Sequence, residues 1–138
     1  MKDKILKYKE LSPNREYFDL VKIFGLSLDK LFKVMGVNKY KIKDDYFEIY
    51  DNYGNEIYKE YSNGRWWKRE LDNNCNVTYS KDSDGGWYKR EYDSNGKLVY
   101  SEDSRGYWTK RKYKNDKIIN WEDSDGYKES YLPNINKR

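Results

Sequence analysis

The sequence predicts an α+β protein, mostly β, with a short N-terminal helical head followed by an antiparallel β-hairpin repeat meander. Three observations predict it. Trp66, Trp87 and Trp108 recur at a spacing of 21 residues inside near-identical segments. Turn signals of the Ser-x-Gly and Asp-Ser-Asn-Gly type fall every 8–12 residues, a pattern of antiparallel all-β chains. Before residue 44 the apolar residues instead follow a helical period. The expected organisation is a head over residues 1–43, tandem hairpin repeats of about 21 residues over 44–131, and a tail over 132–138.

The head is read first. Ser12-Pro13 is a helix start, with Ser as cap and Pro at the first helical position. Tyr17, Leu20, Val21 and Phe24 then share a face at i, i+3, i+4 and i+7, and Gly25 ends a helix over about 13–24. Ser27 caps a second helix over 28–35, with Leu28, Leu31, Phe32 and Met35 on one face and Gly36 at its end. Residues 2–10 suit a third, Lys-rich helix, and Lys39–Lys43 alternates like a strand leading into the array. Two helices joined by Gly25-Leu26-Ser27 have the outline of a helix-turn-helix. The exposed positions after that turn are Asp29, Lys30 and Lys33, and none is Arg, Asn or Gln. The favoured role of the head is a cap on the first edge of the repeat sheet, since terminal repeats need covering.

The repeat follows. Behind each Trp come Lys68-Arg69-Glu70, Lys89-Arg90-Glu91 and Lys110-Arg111-Lys112, then Leu71-Asp72, Tyr92-Asp93 and Tyr113-Lys114. A degenerate first copy starts near Tyr46, and a fragment from Tyr127 to Tyr131 closes the array. The fourth copy loses one turn residue, Lys114-Asn115-Asp116-Lys117 standing for Asp93-Ser94-Asn95-Gly96-Lys97. Each unit reads strand, turn, strand, turn. In Asp93-Ser94-Asn95-Gly96 the Asp is expected to cap its own backbone and Asn-Gly to supply positive φ angles. Side chains alternate along a strand, so the three Trp share a face with Lys68, Lys89 and Lys110. Arg69, Arg90 and Arg111 share the other with Leu71, Tyr92 and Tyr113. Equivalent strands lie two apart, which sets each ladder at roughly 10 Å per step. Glu60, Lys81, Glu102 and Glu122 come from the strand between, and cross-strand charge and aromatic pairs are expected to hold a sheet with little core beneath it.

Tyr92-Asp93-Ser94-Asn95-Gly96-Lys97-Leu98 resembles the tyrosine–aspartate repeat of Rhs-type toxin shells and the MORN-like repeats of some antitoxin and phage-encoded proteins. The resemblance covers about residues 46–131. It implies a β-hairpin repeat that serves as shell, scaffold or binding surface. Rhs shells enclose a toxin with many repeats, and four units cannot enclose anything. The nearer likeness is to small phage or mobile-element proteins with a short helical head, some of which inhibit host defence, including CRISPR effectors.

Composition bounds the function. Hydrophobic residues are 36% and charged residues 38%, which argues against a large core, while sixteen Tyr and five Trp argue against disorder. A single Cys excludes an internal disulfide framework, and the absence of His removes the usual zinc sites and every His-based catalytic arrangement. No apolar run reaches the length of a membrane span, so a cytoplasmic protein with no membrane association is expected, in the host cell if phage-encoded. Residues 1–43 hold 11 Lys/Arg against 5 Asp/Glu, and the remainder 17 against 19, a basic head on a mixed-charge array.

Asp82-Ser83-Asp84-Gly85 and Asp123-Ser124-Asp125-Gly126 look like the start of a calcium loop, but turn chemistry accounts for them and no metal or cofactor is expected. Cys75 stands where Gly96 stands in the next copy and reads as drift. No acid, base and nucleophile are gathered, so the expectation is a non-catalytic binding protein. Arg69, Arg90, Arg111, Tyr88, Tyr92 and Tyr113 are the candidate binding surface, with Lys68, Lys89, Lys110, Lys30 and Lys33 as further candidates. The expected partner is another protein or a ribonucleoprotein, inhibited by occlusion in the anti-CRISPR manner. RNA or single-stranded DNA bound through the basic head and the Arg ladder is the alternative. An antitoxin or immunity role is a third reading, and an edge-strand dimer is possible on this pattern.

Overall fold

A computed structural model describes residues 2–11 and 16–130. Three helices, α1 (Lys2–Leu11), α2 (Tyr17–Phe24) and α3 (Leu28–Met35), precede ten strands. The strands are β1 (Lys39–Ile42), β2 (Tyr46–Tyr50), β3 (Glu56–Tyr61), β4 (Trp66–Leu71) and β5 (Val77–Asp82). They continue as β6 (Trp87–Tyr92), β7 (Leu98–Asp103), β8 (Trp108–Lys114), β9 (Lys117–Asp123) and β10 (Lys128–Ser130). Their order in the sheet is their order in the chain, as a hairpin meander requires. The chain falls into two compact units, residues 1–68 and 69–138, divided within β4. No described helix is long and apolar enough to cross a membrane.

The first unit holds the apolar core. Ile5, Leu20 and Leu31 are buried where the three helices meet, with Tyr8, Val21, Phe24 and Met35 around them. Phe32 then packs on Phe47 and Ile49 of β2, with Tyr17, Phe18, Leu28 and Tyr58 alongside. The helices and the first hairpin therefore share one core. Gly25 and Gly36 end α2 and α3 in the left-handed region, and the Ser27 side chain accepts the Lys30 N–H, as the spacing predicts.

The start of α2 differs from the sequence reading. The helix begins at Tyr17 after an extended Glu16, whose own side chain makes no capping hydrogen bond. Ser12 and Pro13 lie outside the described residues, as do Tyr131 and the tail 132–138. The cap comes from the sheet: Glu60 of β3 accepts both the Tyr17 and the Phe18 N–H at 2.9 Å. A buried carboxylate there satisfies two free helix N–H groups and meets the positive end of the helix dipole.

In the second unit the repeat sets the geometry. Every hairpin of this unit except β8–β9 closes on an Asp whose Oδ1 accepts two backbone N–H groups. Asp93 takes those of Asn95 and Lys97, and Asp123 those of Asp125 and Tyr127. Asp82 does the same with Asp84 and Gly86. Asn-Gly does not supply two positive φ angles. Only Gly96 is left-handed, at φ 80°, because a three-residue loop needs a single such residue after a type I turn. Cys75 takes that position at φ 64°. The shortened fourth copy is the two-residue case, and there both Asn115 (φ 53°) and Asp116 (φ 65°) are left-handed.

Candidate binding surfaces

The hairpin register fixes which side chains share a face. In the second unit Arg90 lies opposite Ser101, Ser101 opposite Thr109, and Arg111, two residues on, opposite Trp121. Tyr88, Arg90, Tyr92, Arg111 and Tyr113 thus share one face. Arg69 holds the same alternating, half-buried position in β4. The Arg90 guanidinium lies over the Tyr88 ring at 4.2 Å, and that of Arg111 over Trp121 at 4.3 Å. A cation–π contact of this kind fixes the guanidinium over the ring. The Arg111 Nε is buried and has no hydrogen-bond partner among the described residues.

Tyr92 and Tyr113 are committed to the fold. The Tyr92 hydroxyl donates to the Val77 carbonyl at 3.0 Å and that of Tyr113 to the Leu98 carbonyl at 2.7 Å. Each ties the end of one strand to the start of the strand before it. Their rings remain half-exposed, but their hydroxyls are occupied.

The opposite face carries Trp87, Lys89, Trp108 and Lys110. Lys89 and Lys110 are aligned with Glu102 and Glu122, but their Nζ atoms lie over the indoles of Trp87 and Trp108, at 5.3 and 5.1 Å. A groove of about 420 Å³ opens at the C-terminal edge of the sheet, lined by residues of β8, β9 and β10 that include Lys110, Arg111, Trp121, Glu122, Lys128 and Glu129.

In the first unit Lys68 lies over Trp66 at 5.9 Å. Lys30 and Lys33 are exposed on α3, where neighbouring Asp29 accepts the Tyr40 hydroxyl. The helices cover the face of this unit that carries Phe47, Ile49, Tyr58, Glu60 and Trp66.

That covered face contains a constellation the sequence reading missed. Glu60 is fully buried and accepts the Tyr58 hydroxyl at 2.7 Å as well as the two helix N–H groups. Next to it the Trp66 indole N–H donates to Glu16, the residue just before α2, at 2.7 Å. Burial pushes the Glu60 carboxyl above its ordinary pKa, and its three donors pull it only partly back. Burial and the Glu60 charge drive the Tyr58 hydroxyl far up. The signal was present in the repeat: Tyr58-Lys59-Glu60 recurs as Tyr100-Ser101-Glu102, and nothing in a turn explains a carboxylate conserved at mid-strand in both copies.

A carboxylate pair on the other face was also missed. A hydrogen bond from Glu56 holds Glu48 below the usual carboxylate range, with Lys59 and Lys41 adding to the effect. The two flank the Asp51 turn and belong to one hairpin. No protein-family model matches the chain, and no curated protein does.

Proposed function

We propose that this protein is a non-catalytic binding module whose second unit presents a half-exposed sheet to another protein or a ribonucleoprotein. One observation supports this above the others. Across residues 69–130 only Thr109 is buried, although the segment holds three Trp and many Tyr. Thr109 itself is occupied by a 2.9 Å hydrogen bond with Ser101. Apolar and cationic area that the fold leaves partly wet, held rigid by hairpin turns and stacked pairs, is the material of an interface centre. Combined with the resemblance to small mobile-element repeat proteins, this favours an inhibitor that occludes a host defence component.

Arg90 and Arg111, lying over aromatic rings, also suit a nucleic acid backbone, and exposed Lys30 and Lys33 add charge to the head. Salt separates the two readings. Immobilised protein is exposed to host lysate and to a labelled RNA/DNA pool at low and high salt. A protein complex that resists salt and is lost with Arg90→Ala plus Arg111→Ala supports the binding module. Retained nucleic acid that elutes steeply with salt overturns it in favour of the second reading.

A further inference from the structure

The first unit demonstrates how this sheet holds a helix. Tyr58 and Glu60 on β3 and Trp66 on β4 form a receptor for the start of α2: Glu60 takes its first two N–H groups, and Trp66 takes the carboxylate of the preceding Glu16. The register that assembles it is Tyr58 opposite Lys68 and Glu60 opposite Trp66.

The second unit repeats the receptor. Tyr100 lies opposite Lys110 and Glu102 opposite Trp108, in the same register. Burial first, and then the charge of neighbouring Glu102, raises the Tyr100 hydroxyl. Lys110 sits over Trp108 as Lys68 sits over Trp66, so the lysine is compatible with an occupied site. The copy between them is broken, because Lys81 stands in the acidic position opposite Trp87. Glu60 is fully buried under α2, whereas Tyr100, Glu102 and Trp108 all keep solvent exposure.

We infer that Tyr100, Glu102 and Trp108 form a second helix receptor, which takes the N-terminal turn of an α-helix from a partner protein. The inference rests on the binding-module reading and names what the partner offers. The occupant must donate its first N–H groups to Glu102, as α2 does to Glu60. It must carry Asp or Glu just before the helix to accept the Trp108 indole N–H. Its flank is set by what replaces the apolar floor of the first receptor. Lys89 lies opposite Glu102 where Phe47 lies opposite Glu60, and Glu91 opposite Tyr100 where Ile49 lies opposite Tyr58. The partner helix therefore meets a floor of mixed charge rather than an apolar one, acidic where it faces Lys89 and Lys110 but not where it faces Glu91, and it binds reversibly and with salt dependence.

The test uses the full-length chain and a 20-residue Ala-rich helical peptide that begins Glu-Tyr-Phe and carries Glu on one flank. Indole N–H signals are followed by NMR. The Trp108 signal is expected to move on titration while Trp87, beside Lys81, stays fixed. Glu102→Lys, which installs the residue the repeat already uses at position 81, is expected to weaken binding by about tenfold or more. So is a peptide beginning with Lys in place of Glu. Equal movement of Trp87 and Trp108, an unchanged titration in Glu102→Lys, or no Trp108 movement at millimolar peptide each overturns the site. A lysate partner lost only with the Arg variants, together with a failed peptide titration, removes the receptor and leaves the binding module. A successful titration with only nucleic acid retained from lysate does the reverse.

Discussion

Replacing Glu60 tests the link between the repeat sheet and the helical head. The side chain is fully buried and accepts three hydrogen bonds, from the Tyr17 N–H, the Phe18 N–H and the Tyr58 hydroxyl. Glu60→Ala strands all three donors. Each buried donor left without a partner costs about 1–3 kcal/mol, so the total is expected at about 3 kcal/mol or more. That is a large share of the roughly 5–15 kcal/mol that holds a domain together. Glu60→Gln keeps the shape but turns an –NH₂ toward a donor, and about 1–2 kcal/mol is expected. Urea unfolding followed by Trp fluorescence measures both, and hydrogen exchange at the Tyr17 and Phe18 amides reports the helix start directly. The pH dependence has a definite sign. Burial raises the folded pKa of Glu60 above the unfolded value, so its contribution is fullest below the unfolded pKa and is lost as pH rises through the folded one. The stability advantage of wild type over Glu60→Gln should therefore narrow as pH is raised from about 4 toward neutrality. A Glu60→Ala protein within about 0.5 kcal/mol of wild type, with protected Tyr17 and Phe18 amides, refutes the capping role. A gap that widens with pH refutes the account of the buried charge.

Four further outcomes are expected. Cys75→Gly should raise the unfolding free energy by up to about 1 kcal/mol, read as a higher urea midpoint, because the left-handed φ of 64° costs Cys what Gly does not incur; a loss of stability contradicts this. Tyr92→Phe and Tyr113→Phe should each cost about 1 kcal/mol by removing the bond to Val77 or Leu98 while leaving the ring, and a neutral effect of both shows that water replaces those bonds freely. Arg111→Ala should change Trp121 emission and cost about 0.5–1 kcal/mol, whereas an unaltered spectrum means the stack does not persist in solution. The turn carboxylates Asp51 and Asp72 are held below their ordinary pKa, first by the backbone N–H groups of Asn55 and Asn76. Their contribution is present above the unfolded pKa and is lost as pH falls through the folded one, so Asp51→Asn plus Asp72→Asn should flatten the acid limb of the stability curve.

What the sequence determined by itself is local. A strand needs alternation and a turn needs Gly or Asp, so the 21-residue repeat, its hairpins and the Lys68/Trp66, Lys89/Trp87 and Lys110/Trp108 pairs could be read from spacing. Gly25 and Ser27 likewise marked helix ends through interactions within four residues. The turn type at Asn95-Gly96 was misjudged because dipeptide preference does not count loop residues, and the loop length decides how many positive φ angles are needed. What only the tertiary structure decided lies between residues far apart in the chain. Tyr17 and Phe18 meet Glu60 across more than forty positions, and Glu16 meets Trp66 across fifty, so no local pattern could locate the start of α2. The same holds for the covered face of the first hairpin. Either face of an alternating strand offers aromatic residues, and the choice fell to the one where Phe47, Ile49 and Tyr58 could close over Phe32 while Glu60 satisfied the free N–H groups of the helix above it.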